Sequence, residues 1–235
     1  MLITTEIPQN LIEFPEDQPA RVNRPKYITI GEFDENSASR FTEAFNQFLN
    51  EPQSIIPINI SSPGGAIFSL MGMRDLIACS PKPVLTMTNS LACSCGAVLL
   101  SLGTKGYRYA SPNSMILIHE ASSATEGKTS DIINEARYIE KLNDQLLELL
   151  AASSNKSKDF YKKLIKKQNN SDLFITPEEA KNFGLIDHIG LPKITMTVSV
   201  DYKIENTLPN ITIKEKRVKI PVKISKKTKT STPTE

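Results

Sequence analysis

Strand-like and helix-like patterns alternate through most of the chain. "KYITIGEF" (26–33) alternates apolar and polar residues with period two and predicts a strand. "SASRFTEAFNQFL" (37–49) sets Phe41, Phe45 and Phe48 at helical spacing, with Asn36, Ser37 and Ser39 as candidate caps. "IIPINIS" (55–61) predicts a buried strand, "SPGG" (62–65) breaks it, and "AIFSLMGMRDLIA" (66–78) predicts a helix. "PVLTMTN" (83–89) is again a strand and "GAVLLSLG" (96–103) a helix. "YRYAS" leads into the strand "SMILIHEA" (114–121). A long amphipathic helix follows over 129–155, with Ile132, Ala136, Ile139, Leu142 and Leu146 on one face. Another covers about 156–168. "TPEEAKNFG" (176–184) opens with a Thr176–Pro177 cap signature and stops at Gly184. Strands and helices joined by short links predict an α/β fold with largely parallel pairing.

The two ends have another texture. Residues 1–25 hold Pro8, Pro15, Pro19 and Pro25 without periodicity and suggest an extended lead-in. After Pro192, "KITMTVSVDYKI" and "ITIKEKRVKIPVKI" alternate with period two, as strands or a hairpin appended to the domain would. Three segments follow: a lead-in (1–25), a main domain (26–192) and a β-rich, then basic and polar, extension (193–235). The acids Glu6, Glu13, Glu16 and Asp17 sit at one end. Nine Lys/Arg against Glu205 and Glu215 sit between Lys203 and Lys229, which suggests a solvated tail. The net charge of +2 argues against a nucleic-acid protein. No signal-peptide pattern and no membrane-length apolar run occur, and three cysteines make no disulfide framework. A reducing compartment, and so a cytoplasmic protein, is the expectation.

"TNSLACSCGAVLL" (88–100) raises the chemical question. Ser94 stands between Cys93 and Cys95 where a strand turns into a helix. That turn exposes a side chain close to free helix N–H groups, which can stabilise an oxyanion. Either cysteine could be a nucleophile, the pair could hold a metal, or both could pack around a reactive serine. Serine acyl transfer needs a base, a carboxylate and backbone donors. The chain has two histidines. His119 ends the apolar strand "MILIH", where site residues tend to lie in open α/β sheets. His188, in the turn-like "LIDHIG", suits a surface histidine. The glycines of "SSPGG" can turn an N–H toward a ligand.

Taken together, "ISSPGGAIFSLMGMRDLI", "TMTNSLACSCGAVLLSLGTKGYRYASPNSMILIHEA", "GKTSDIINEARYIEKLNDQL" and "DLFITPEEAKNFGLID" resemble, in order and spacing, the proteolytic subunit of the Clp protease, the ClpP family. The resemblance spans roughly residues 27–189. It implies the ClpP/crotonase-like fold, built of repeated ββα units with a long protruding helix, and a serine endopeptidase acting on polypeptides in a homo-oligomeric ring. It places the nucleophile on Ser94, the general base on His119 and the third triad member on Asp172. It places the oxyanion donors on the backbone N–H groups of Gly64 and Cys95. It implies no cofactor and no metal, and Cys93–X–Cys95 with only Cys79 besides is a poor metal set. Heptameric rings, single or paired, and an AAA+ Clp unfoldase are the partners it suggests, with no nucleic acid and no membrane.

The chain departs from the family pattern in three places. Asn170 and Ser171 stand where the family commonly has an Asp–Arg pair that links rings. Residues 1–25 show no match to the family's axial segment, and the extension after Pro192 is not part of the family core. A capsid-maturation protease of the same fold, a Ser/Lys peptidase of the signal-peptide-peptidase A kind, a catalytically silent ring subunit and a CoA-binding enzyme of the wider fold are the alternatives. A full Ser/His/Asp set argues against the Ser/Lys and silent readings.

Overall fold

The structure is a computed structural model that describes residues 26–167 and 172–194. Strand β1 (Ile28–Ile30) leads to helix α1 (Glu35–Asn50), β2 (Ile56–Ile60) and α2 (Ile67–Ala78). Then come β3 (Val84–Thr88), β4 (Leu91–Cys93), α3 (Cys95–Ser101), β5 (Arg108–Ala110) and β6 (Met115–Ile118). The long α4 (Thr129–Ser153) precedes α5 (Lys158–Lys167), β7 (Leu173–Ile175), α6 (Pro177–Phe183) and β8 (His188–Ile189). All these elements fall within the unit Met1–Pro192. The mixed α/β architecture anticipated from the alternation is present. The lead-in, Asn170, Ser171 and the two alternating segments after Pro192, apart from Lys193 and Ile194, lie outside the described residues.

The strands form two sheets. One runs β1-β2-β3-β5-β8, every neighbouring pair parallel. The other runs β4-β6-β7, with β4 parallel and β7 antiparallel to β6. Two residues, Asn89 and Ser90, carry the chain from β3 in the large sheet to β4 in the small one. The same step recurs from β5 to β6, and in shortened form after β2, where Ser62 bridges Ala92. Each strand pair is followed by a helix, which is the repeated ββα unit. At two of these corners Ser90 Oγ–H donates to Ser61 Oγ at 2.8 Å.

The apolar patterns have their expected outcome where they were long. Phe41, Phe45 and Phe48 of α1 are buried, joined by Phe33, Ile56, Ile58 and Ile60. Asp34 caps α1, not Asn36, Ser37 or Ser39. Its carboxylate accepts from the Ser37 N–H at 2.6 Å while its own N–H donates to Ser37 Oγ, a reciprocal box that starts the helix earlier. Thr176 caps α6 through the Glu179 N–H, Pro177 follows, and Gly184 closes the helix at φ 80°.

A buried ion pair ties the sheet to its helices. Arg108, 3% exposed, forms a two-pronged pair with Asp187 at 2.6 and 2.9 Å. Its remaining nitrogen donates to the Ser153 and Ser101 carbonyls, at the ends of α4 and α3. His188, expected in a turn, instead lies in the two-residue strand β8. It stacks on Tyr109 and its Nε2 meets the Gly106 carbonyl at 3.1 Å, a surface structural role. Among the described residues no helix is long and apolar enough to cross a membrane.

Candidate active site

Ser94 follows the last residue of β4 and precedes the first of α3. Its backbone has φ 54° and ψ −120°, and among the described residues it is the one non-glycine residue with positive φ. Such conformations cost on the order of 1–3 kcal/mol and persist only where surrounding bonds enforce them. Here the Ser94 N–H donates to the Leu117 carbonyl at 2.8 Å, and its carbonyl accepts from Ala97 at 3.0 Å and Val98 at 3.2 Å. The buried α3 holds the far side of the turn rigid, and Ser94 itself stays partly exposed.

The small sheet gathers the other candidates. Cys93 pairs with Leu117, so the C-terminal end of β4 lies beside that of β6, and His119 is the second residue past that pairing. Ile118 pairs with Leu173 as the last rung of the antiparallel β6–β7 ladder, and His119 and Asp172 are the residues that directly flank that rung, one on each strand. The candidate nucleophile, base and carboxylate thus each directly adjoin a strand at the same end of one three-stranded sheet. Burial, and next the negative charge of Asp172, raise the Cys93 thiol above its ordinary value. Among the described residues, however, no hydrogen bond joins Ser94 to His119 or His119 to Asp172. His119 Nδ1 instead lies 2.6 Å from the Glu120 carbonyl. A carbonyl only accepts, so this contact selects the tautomer protonated at Nδ1 and leaves Nε2 as the basic nitrogen. The chain beyond His119 is anchored by the Ala121 N–H, which donates to Asn143 Oδ1 on α4 at 3.1 Å.

The glycine turn lies against the serine. Gly64 and Gly65 have φ 111° and 137°, a region open to glycine. A side chain at Gly64 is excluded by Ser94, whose Cβ would lie 2.7 Å from an added Cβ. The Phe33 N–H donates to the Gly64 carbonyl at 2.9 Å and the Ala66 N–H to the Phe33 carbonyl at 2.7 Å, so the turn is stitched to the end of β1. The Gly64 N–H itself donates to Ser62 Oγ at 3.0 Å.

The two cysteines are packing residues around this turn. Cys95 is fully buried, its thiol lies 3.3 Å from the Gly65 carbonyl, and burial pushes it up to about 11. Both thiols therefore stay protonated at neutral pH and lack thiolate reactivity. A groove of about 520 Å³ lies between the segment after β6 and helices α4 and α5, lined by Glu120, Ala121, Ile139, Asn143, Leu147 and Ile165 among others.

Three features of the site were not anticipated from the pattern. Strands β4 and β7, three residues each, are too short to show a period. The Ser62 hydroxyl is the third. Its signal was a serine two residues before a glycine, the spacing at which a hydroxyl caps a backbone N–H. A sequence model of the family described as Clp protease matches residues 17–193, which takes in the serine turn, the glycine turn and every strand that carries them, and on that match the chain belongs to the Clp protease family.

Proposed function

We propose that this protein is a serine endopeptidase that cleaves polypeptides inside a homo-oligomeric ring. Members of the Clp protease family are generally oligomeric and act on polypeptides. The observation that carries the serine reading is the backbone of Ser94, held at φ 54° against Gly64, with His119 and Asp172 at the same end of the sheet.

Ser94 Oγ attacks the peptide carbonyl while His119 Nε2 takes its proton and later delivers it to the leaving amine. Asp172 steadies the imidazole in the tautomer that leaves Nε2 basic and balances its positive charge after proton transfer. The N–H groups of Gly64 and Cys95 stabilise the tetrahedral oxyanion. The acylated Ser94 is then released by water along the same route. Substrate binding is what draws His119 from Glu120 toward Ser94 and Asp172, since catalytic hydrogen bonds often tighten only in the occupied site. An AAA+ unfoldase would feed such a chamber, in a cytoplasmic setting, and residues 26–192 are the catalytic domain. A capsid-maturation role would use the same chemistry.

The unpaired triad favours one second reading, a silent ring subunit. A fluorophosphonate probe separates the two. Labelling of Ser94, absent in Ser94→Ala, together with peptide hydrolysis by the unmodified protein, supports the peptidase. No labelling and no hydrolysis supports the silent subunit.

A further inference from the structure

Gly64 and Gly65 are the freest backbone in the site, yet an oxyanion donor is useful only when its direction is fixed before the charge forms. The bonds of the turn can be followed one peptide at a time. The Ser62 N–H donates to the Leu91 carbonyl and the Ser62 carbonyl accepts from the Cys93 N–H, both at 2.9 Å. The Gly64 carbonyl is held by Phe33 and the Gly65 carbonyl by the Cys95 thiol. Between them lies the Pro63–Gly64 peptide. Proline has no N–H. Among the described residues, the one hydrogen bond on that peptide is the Gly64 N–H to Ser62 Oγ, at 3.0 Å.

Ser62 is well placed to act as a fixed anchor. It is fully buried, its backbone N–H and carbonyl are both bonded to β4, and its Cβ lies 3.3 Å from where a Cβ on Gly96 would be, so α3 packs on it closely. We propose that Ser62 is a positioning residue, whose hydroxyl sets the direction of the Gly64 N–H so that this donor is ready for the oxyanion. The inference rests on the serine-peptidase reading. The N–H is shared as a three-centre bond when the oxyanion forms, and the charged oxygen is the stronger acceptor of the two. The resting contact with a neutral hydroxyl keeps the donor aimed without competing strongly for it. A residue of this kind affects the step in which charge develops and leaves ground-state binding alone.

The test is steady-state peptide hydrolysis by the full chain and its Ser62 variants, with fluorophosphonate labelling of Ser94 in the unmodified protein as the reference. Ser62→Ala is expected to lower kcat by about ten- to a hundredfold, less than deletion of a donor, with KM unchanged. Ser62→Cys, whose sulfur is a weak acceptor, is expected to fall between the two. An unchanged or raised kcat in Ser62→Ala, or a change confined to KM, would overturn the role of Ser62. If Ser62→Ala does not fold, as judged by circular dichroism, Ser62→Cys decides alone: reduced kcat at the original KM supports the proposal, and the original kcat overturns it. A reference protein that fails to label at Ser94 overturns the serine-peptidase reading and this inference together. A labelled reference beside an unaffected Ser62→Ala overturns this inference only.

Discussion

Gly64 and Ser94 are in contact across the active-site turn: a Cβ built on Gly64 would lie 2.7 Å from the Ser94 Cβ and 3.2 Å from its Oγ. Glycine at 64 is therefore a condition for the serine to stand where it does. Gly64→Ala forces either the serine or the turn to move and adds a side chain at φ 111°, a strain of about 1–3 kcal/mol. Peptide hydrolysis should fall by about a hundredfold, the scale expected for an ångström-level displacement of a reacting group. A melt of the variant should show the accompanying loss of stability. Full activity in Gly64→Ala would mean that the contact does not position the nucleophile.

Strain at Ser94 predicts an opposition between stability and activity. Ser94→Ala and Ser94→Gly should both abolish hydrolysis. Only glycine relieves the φ 54° backbone, so Ser94→Gly should be more stable than Ser94→Ala by about 1 kcal/mol in chemical denaturation. Cys93→Ser and Cys95→Ser should each keep most of the activity, because both thiols are buried and protonated. A dead Cys95→Ser that still carries a labelled Ser94 would assign the chemistry differently.

The histidines should separate cleanly. His119→Ala is expected to reduce kcat by about a hundred- to ten-thousandfold, the range for losing a general base. His188→Ala removes a stack on Tyr109 and a contact with the Gly106 carbonyl, both remote from Ser94 in the fold, and should leave kcat unchanged. Combining Ser94→Ala with His119→Ala should cost little beyond either alone, since the groups act as a unit. Near-normal turnover in His119→Ala would remove it from the mechanism.

The parts of this fold legible in the sequence are those whose burial extends over several turns or a full strand. The three phenylalanines of α1 repeat often enough to declare a face, and Thr176–Pro177 with Gly184 marks both ends of α6. The short strands β4, β7 and β8 had no such signal. They form because neighbouring ladders present unpaired backbone groups to Leu91–Cys93, Leu173–Ile175 and His188–Ile189, a tertiary cause that no local period records. The candidate site was legible as residue types and as a family pattern. Its geometry was not, because Ser94 follows β4 and Asp172 precedes β7, two of those short strands. The contact between His119 Nδ1 and Glu120 and the bond from Gly64 to Ser62 depend on backbone directions that letters do not carry.

Asp187 gives the fold an acid-sensitive joint. Burial tends to raise its carboxyl, yet the hydrogen bonds and charge of Arg108, with the Gly106 and Arg108 N–H groups, hold it below the ordinary carboxylate value. The unfolded state therefore binds this proton at higher pH than the folded state does. The stabilisation is complete above the ordinary aspartate value, about 4, and is lost as pH falls toward and through the depressed one. Asp187→Ala leaves Arg108 buried without its partner and should cost about 3–5 kcal/mol at neutral pH. Asp187→Asn should flatten the acid limb of the stability profile. A pH profile with an unaltered acid limb would show that the pair is not the joint.

The long helix α4 has a split character that bears on assembly. Leu142, Leu146, Leu147 and Leu150 bury its second half against the core. In the first half, Ile132, Ile133 and Tyr138 are 43%, 45% and 41% exposed, so the apolar face that the sequence continues through Ile132 stays largely uncovered among the described residues. Phe68 of α2, 64% exposed, stacks its ring on Tyr138 at 6.3 Å and extends the same surface. Apolar surface of this kind marks contact with another chain, and in the oligomer proposed above a second copy of α4 is the matching occupant. Charging it with Ile132→Asp and Ile133→Asp should reduce the particle mass in solution while circular dichroism stays unchanged, because both positions lie outside the folded core. Removal of residues 193–235 serves as the comparison: if truncation lowers the mass and the helix variant does not, the extension and not α4 holds the copies together. An unchanged mass in the helix variant would refute its role in assembly, and aggregation relieved by the two aspartates would show instead that the surface stands uncovered.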